Sequence, residues 1–336
     1  MLLSLCFRVF GVFCGCSSGE IESRKTGKFL FFSFCGGTRK LTIRTTFPTD
    51  LPAIRRLLQE NRHSFLACGL EDVPDLLGKA GAALGLLPGE EAGVWGFVAF
   101  DAPARNAAAG SLPDGALRVA LIGRQTPDGA SLAPLISQAI ASLHATGQPF
   151  QLTALTGEGW LAGSLAAQGF VLTDHLCFYQ RTRHNLPESR TRGLLRPLRQ
   201  DEIAGLIVLD RLAFPPLWRM SEAELWELCF TCRVQAAAVD GQLAGYAALS
   251  LHPTADRQDD NQAQLSRLAV HPDFQGRGIG RQLLSESIAY AHAQGCYRIL
   301  LNTPESNPTA QHLYESLHFR RHGARVPVWV YCGPSG

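Results

Sequence analysis

Between Ala269 and Leu284 the chain reads AVHPDFQGRGIGRQLL. Glycines at 276, 278 and 280 alternate with Arg277 and Ile279, with Gln275 before them and Arg281 after. The preceding AQLSRLAV alternates apolar and polar residues as a strand does, and His271-Pro272 ends it because proline cannot continue a ladder. From Ile279 onward, Leu283, Leu284, Ile288 and Ala291 recur at helical spacing. The glycines therefore lie where a strand turns into a helix N-terminus. There the free N–H groups and the helix dipole favour an anion. Glycine lets the backbone approach phosphate oxygens, and Arg277 and Arg281 add positive charge. The chemistry implied is a pyrophosphate cradle. A loop that merely turns is the plain alternative. A dinucleotide fingerprint needs GxGxxG near the start of its domain and an acidic residue about 20 positions later, which this GxGxG does not offer.

A second constellation follows. YRILLNTPES reads as an apolar strand and NPTAQHLYESLHF as a helix, capped by Asn307 with Pro308 at its first position. Tyr314 lies two turns after Asn307 on nearly the same face, with Ala310 between them. An Asn amide and a Tyr hydroxyl can thus line one side of a ligand lying between two strand ends.

The elements that must position these groups occur twice. LTIRTTFPTDLPAIRRLL, residues 41–58, and LLRPLRQDEIAGLIVL, residues 194–209, each read as a short strand with Arg, an acidic helix start and a helix. Later, LRVALIG and LSRLAVH each precede a loop, an amphipathic helix, a glycine (Gly147 or Gly295), a strand, a helix and a final Phe (Phe170 or Phe319). A repeat of roughly 150 residues is too long for a solenoid and fits two copies of one domain. The expected division is an extension over 1–40, a first domain over 41–184 and a second over 185–336, joined by the polar RTRHNLPESRTRG of residues 181–193.

The chain has 336 residues, 46% hydrophobic and 18% charged, ample for two domains. A net charge of +2 gives no pull toward nucleic acid. Of ten cysteines only Cys229 and Cys232 form a CxxC, without a second pair at zinc spacing, so thiols in a reducing cytoplasm are expected and a metal is not. The apolar start is too short to span a bilayer and Arg8 interrupts it, which argues against stable membrane insertion. It reads either as a weak targeting signal or as an upstream segment before a start near Leu41.

The glycine loop, the Asn-x-x-Ala-x-x-x-Tyr pattern and the closing LHF resemble the GNAT superfamily of acetyl-coenzyme A-dependent N-acetyltransferases, over about residues 193–331. The resemblance implies an α+β, three-layer fold: two tandem units, each a mixed, mostly antiparallel sheet flanked by helices. It implies that Gln275, Gly276, Arg277, Gly278, Ile279, Gly280 and Arg281 hold the pyrophosphate of acetyl-CoA. A bulged strand would present Leu268 and Val270 to the pantetheine arm, Asn307 would contact the cofactor, and Tyr314 would protonate the leaving thiolate. Members often carry a Glu on the strand matching AQLSRLAV, where this chain offers Gln264 and Ser266. Glu305 is then the candidate general base, with His252 in reserve. His318 stands where the family usually has Gly. DRLAFPPLWRMSEAEL is similar to the acceptor wall of enzymes that modify protein or peptide N-termini, with core packing by Phe214 and Trp218 as its alternative. The acceptor implied is a primary amine, on a small molecule or at a peptide N-terminus.

In the first copy PDGASL, residues 127–132, stands in place of the cradle, Glu158 near the Asn position and Leu165 near the Tyr position. That copy is expected to be degenerate and structural. The rival readings of the whole chain are a non-catalytic acyl-CoA-binding regulator and a two-module interaction protein.

Overall fold

The computed structural model describes residues 42–87, 93–101, 114–126, 131–182, 184–187, 195–253 and 261–333. The N-terminal extension, most of the joint and residues 127–130 of the PDGASL segment lie outside them.

The first half runs β1 (Thr42–Thr45), α1 (Leu51–Gln59), β2 (Asn61–Leu66), α2 (Val73–Leu76), β3 (Ala82–Leu86), β4 (Val94–Phe100), β5 (Asp114–Gly123), α3 (Ala133–His144), β6 (Gln151–Leu155), α4 (Gly159–Ala166) and β7 (Val171–Arg181). The second half runs β8 (Leu195–Pro197), α5 (Ile203–Ala213), α6 (Glu222–Thr231), β9 (Arg233–Val239), β10 (Gln242–His252), β11 (Gln262–Val270), α7 (Ile279–Ala293), β12 (Arg298–Pro304), α8 (Pro308–Ser316), β13 (Arg320–Arg321) and β14 (Val326–Cys332).

Both halves open with the same staple. Arg44 on β1 clamps Asp50 with hydrogen bonds of 2.7 and 2.6 Å. Arg196 on β8 clamps Glu202 in the same way, again six residues later. Each carboxylate also accepts a backbone N–H three residues before it, from Phe47 or Arg199, and so fixes the entry to the first helix.

The described strands form one sheet, ordered β1-β3-β4-β5-β6-β14-β7-β12-β11-β10-β9-β8, with β2 and β13 beside the path. Most pairs are antiparallel, whereas β5–β6 and β11–β12 are parallel. In the second half α7 and α8 pack on one face, with Ile279, Leu283, Ile288 and Leu317 against Ala247, Leu249 and Leu265. On the other face α5 and α6 pack Leu206, Leu225 and Leu228 against Tyr246, Ala248 and Ala269. Each sheet face thus buries the apolar stripe of a helix pair, which is the three-layer arrangement.

Terminal strands are exchanged across the joint. β14, the last strand of the chain, pairs with β6 of the first half, while β7, last in the first half, pairs with β12 of the second. β14 and β7 pair with each other between them. Leu176, Phe178, Val328 and Val330 form a shared core there, against which Leu217 and Trp218 pack.

Candidate functional site

β11 and β12 pair only at Gln262–Arg298, Ala263–Ile299 and Gln264–Leu300. Beyond that register each strand runs on, β11 held by β10 and β12 by β7. A V-shaped gap opens between their C-terminal ends, and its upper rim is the glycine loop.

The backbone of β11 faces this gap at known residues. His271 N–H donates to Ala244 O on β10. In an antiparallel strand N–H and C=O of one residue point to the same edge and alternate residues to opposite edges. Val270 and Leu268 therefore turn toward the gap. Val270 O accepts from Gln275 Nε2 on that side at 3.2 Å, which ties the loop to the strand end.

The strand is bulged. Ala248 pairs with Arg267 and Leu249 with Leu265, leaving Ser266 as the extra residue. In a regular strand Leu265 and Arg267 would share a face. Here Leu265 packs with α7, while Arg267 reaches Asp210 of α5 on the opposite face. Ser266 takes up the change of phase, just past the last β11–β12 pair.

Gly276 and Gly278 adopt φ of 74° and 80°, and a Cβ at either would meet nothing within 4 Å. These two are glycine for backbone conformation, not for lack of space. Gly278 is the N-cap of α7, without a side-chain cap, so the first turn of the helix offers its N–H groups upward. Gly280 is different: a Cβ there would lie 3.4 Å from Leu313 and 3.5 Å from Val270, at ordinary contact distance. Ile279 is buried beneath the loop as its anchor. The Arg277 guanidinium lies over Phe274 and donates to Asp273 O, and Arg281 donates to Ser316 Oγ of α8 at 2.8 Å. Both arginines are exposed at the rim.

Asn307 caps α8, its Oδ1 accepting from Ala310 N–H at 3.1 Å. Tyr314 on α8 is 6% exposed, its ring against Phe319 and against Tyr179 of β7. Leu268 and Val270 thus lie on β11 with the loop directly after them, while Asn307 caps α8, the helix that follows β12, and Tyr314 lies on it. His318, past the helix, has φ of 68°, the left-handed conformation that explains a glycine preference at this point.

Glu305 is placed differently. Arg325 grips both its oxygens at 2.8 and 2.6 Å, His175 lies at 3.5 Å and Arg321 at 3.7 Å. The Arg325 hydrogen bonds hold its carboxyl below the usual carboxylate range. A carboxylate so engaged is a weak proton acceptor. His252 is half-buried at the end of β10, its Nε2 3.0 Å from Ser250 Oγ, and burial lowers its pKa.

One network was not singled out from sequence. Asp210, fully buried, accepts from Arg267 Nε and Nη2 at 2.8 Å each and from the Tyr246 hydroxyl at 2.6 Å. Arg267 also donates to Trp218 O and stacks on Phe214 at 3.5 Å. It thereby pins the FPPLW segment to the bulged strand. Its signal was available: an Asp inside LIVLDRLAF and an Arg inside QLSRLAV are charges in apolar runs, and such charges are buried in pairs.

The first half repeats the gap and fills it. β5 and β6 pair only at Asp114–Gln151, Gly115–Leu152 and Ala116–Thr153. β4 holds one edge of β5, so β2, paired from Leu66–Val119 to Asn61–Gly123, takes the edge that β6 leaves. His63 of β2 stacks on Trp160 of α4 with centroids 5.2 Å apart, closing the far side. Glu158 stands at the N-cap of α4 as Asn307 does at α8, but its carboxylate accepts from Trp160 Nε1. Leu165 is wholly buried. Leu132, the N-cap of α3 and also wholly buried, stands where the other half has Gly278.

Among the described residues no helix is long and apolar enough to cross a membrane, and no cluster of potential metal ligands occurs.

Comparison with known proteins agrees with this geometry. A family model described as Acetyltransferase (GNAT) family matches residues 203–319. A mycothiol acetyltransferase of Geodermatophilus obscurus is 34% identical over 109 residues, 32% of this chain and 34% of the relative. An N-acetylaspartate synthetase of Danio rerio is 36% identical over 87 residues, 26% of this chain and 29% of the relative. The chain thus spans about a third of the length of these relatives. A tandem GNAT protein from the clavulanic acid biosynthesis pathway aligns over 88% of this chain and 100% of its own, with TM-score 0.54 and 17% identity, a likeness of fold. Gap, bulge and glycine loop coincide with these matches: residues 203–319 form a GNAT-family domain, and the doubled architecture shares the fold of a tandem GNAT protein.

Proposed function

We propose that the second half transfers an acetyl group from acetyl-CoA to a primary amine, and that the first half holds no competing site. The observation that carries this reading is the open gap between β11 and β12 beneath a glycine-rich helix N-terminus, set against the same gap filled by β2. The residues present suit acetyl-CoA. The N–H groups after Gly276 and Gly278, with Arg277 and Arg281, would hold the pyrophosphate. The gap-facing backbone of Leu268 and Val270 would hold the amide-bearing arm, and the Asn307 side chain would lie beside it. Acetyl-CoA supplies the activated acyl group. The β11 backbone beside the bulge polarises the thioester carbonyl. Tyr314 gives its hydroxyl proton to the departing thiolate. Phe214, Leu217 and Trp218, fixed by Arg267, form the wall against which the acceptor lies.

Two of the relatives are named for a mycothiol acetyltransferase and an N-acetylaspartate synthetase, which favours small amines over peptide N-termini. The test incubates the full chain with acetyl-CoA and a panel of amino acids, amino sugars, aminoglycosides, polyamines and peptides, and follows free thiol. Acetylation of at least one amine is expected. Tight acetyl-CoA binding with no transfer to any of them would favour the regulator reading instead.

A further inference from the structure

We propose that His252 is the terminal proton acceptor of the second-half site, reached from the acceptor amine through the hydroxyls of Ser266 and Ser250. The inference rests on the transfer reading above and names the group that reading leaves open.

Transfer to an amine releases a proton, and the two expected carboxylate positions do not take it. Gln264 offers an amide, which is not basic, and Glu305 is gripped by Arg325. The α5/α6 side of the bulge supplies another route. Ser266, displaced at the mouth of the gap, has its Oγ 3.3 Å from Ser250 Oγ. Ser250 Oγ lies 3.0 Å from His252 Nε2. Ser250 is 6% exposed, so the middle of this chain is shielded, whereas His252 is half-buried beside Pro253 and can pass a proton to solvent.

Burial lowers the pKa of the imidazole and so favours its neutral form, the form that can accept a proton. Just past α6 the group on this path is Cys232, whose Sγ donates to Ser266 Oγ at 3.8 Å and whose thiol is held neutral because burial raises its pKa. From β11 the residues beside it are Gln262 and Gln264, both uncharged. Arg233 of β9 is drawn away, its guanidinium 3.9 Å from the Tyr290 ring centroid and paired with Glu286, both on α7.

The step balances. The nitrogen lone pair forms the bond to the acetyl carbon, the C–S bond breaks, and the sulfur takes the Tyr314 proton. The proton lost from nitrogen goes to Ser266 Oγ, that of Ser266 to Ser250 Oγ, and that of Ser250 to His252 Nε2, leaving an imidazolium. Solvent then takes the imidazolium proton, and Tyr314 recovers one from solvent.

The experiment measures kcat/KM against pH for the full chain, His252→Gln and Ser250→Ala with one accepted amine, and acetyl-CoA affinity for all three. The wild type should show an acid limb below the ordinary histidine value of about 6.5, because protonation of a neutral base stops the relay. His252→Gln should lower turnover by about 10²-fold or more and lose that limb, with acetyl-CoA affinity unchanged. Ser250→Ala should slow turnover with the limb kept. Wild-type turnover and an unchanged limb in His252→Gln would overturn the proposal. A second measurement needs no turnover: NMR titration of the His252 ring in wild type and Ser250→Ala. A His252 pKa below the ordinary value that moves on Ser250→Ala supports the relay; an ordinary, unmoved value overturns it. A chain that acetylates no amine would lose the transfer reading, while this titration would still judge the hydrogen-bonded path.

Discussion

The ring of Tyr314 packs against the ring of Tyr179, centroids 6.0 Å apart, although Tyr314 belongs to α8 and Tyr179 to β7 on the other side of the joint. The Tyr179 hydroxyl also donates to Glu315 Oε1, and Arg321 donates to Tyr179. The helix that carries the proposed acid is therefore seated on a strand from the first half. The gap of that half is taken up by β2, and its last strand, β7, pairs with the outer edge of β12, the strand that forms one wall of the gap in the second half.

Tyr314→Phe keeps the ring packing and removes the hydroxyl. Turnover is expected to fall by about 10²–10⁴-fold while acetyl-CoA affinity barely moves. The defect should shrink as pH rises, since a thiolate with an ordinary pKa of about 8.5 then leaves unaided. A pH–rate profile of both proteins checks this. Full activity at neutral pH would reduce Tyr314 to a packing residue.

Gly278→Asp places a carboxylate at the rim where the pyrophosphate is proposed to sit. Open space surrounds the position, and Asp tolerates positive φ better than most residues, so the fold should survive. Loss of one charge-assisted hydrogen bond, about 2–3 kcal/mol, weakens acetyl-CoA by roughly 30-fold or more. Calorimetry should give one site per wild-type chain. A second site that persists in this variant would mean that β2 does not close the first gap.

Asp210→Ala leaves Arg267 buried without its partner and should cost about 3–5 kcal/mol in urea unfolding. Tyr246→Phe removes one hydrogen bond to the same carboxylate and should cost less, about 1.5–3 kcal/mol. Equal losses in the two variants would contradict a carboxylate held chiefly by the arginine.

A chain ending at Gly323 lacks β14, which pairs with β6 from Val328–Leu155 to Cys332–Gln151. Removing it uncovers strand edges in the first half, not the second. Hydrogen exchange at Gln151–Leu155 should therefore accelerate more than at β9. Unchanged protection in β6 would argue against the strand exchange.

Glu202 has its pKa lowered to about 2, first by its hydrogen bonds to Arg196. A carboxylate depressed on folding stabilises above its unfolded value of about 4.3, and that contribution is lost as pH falls toward the folded value. Glu202→Gln should lower Tm at neutral pH and flatten its decline between about pH 4.3 and 2. A decline parallel to wild type would remove the clamp from the acid response.

The doubled plan, the two helix starts, the glycine loop and the Asn307–Tyr314 helix were legible from sequence because each is local. Helical period, proline, cap residues and glycine constrain residues within a few positions of one another. The divergence of the first copy was also legible, in the Leu165 that stands near the position of Tyr314 in the second and is buried. What sequence did not show depends on pairing between distant strands. Nothing in NRHSFL says that β2 will take the free edge of β5, since a strand's own pattern does not name its partner. The exchange of β7 and β14 was hidden for the same reason, and so was the bulge, which is defined only by the register of β11 against β10. Side-chain fate followed from those pairings. Glu305 reads from sequence as a candidate base, and only the pairing of β7, which brings His175, and the chain after α8, which brings Arg321 and Arg325, shows its carboxylate engaged. Ser250, Ser266 and His252 lie on two strands joined through residues 253–261, and only their cross-strand register turns three separate polar residues into one hydrogen-bonded path.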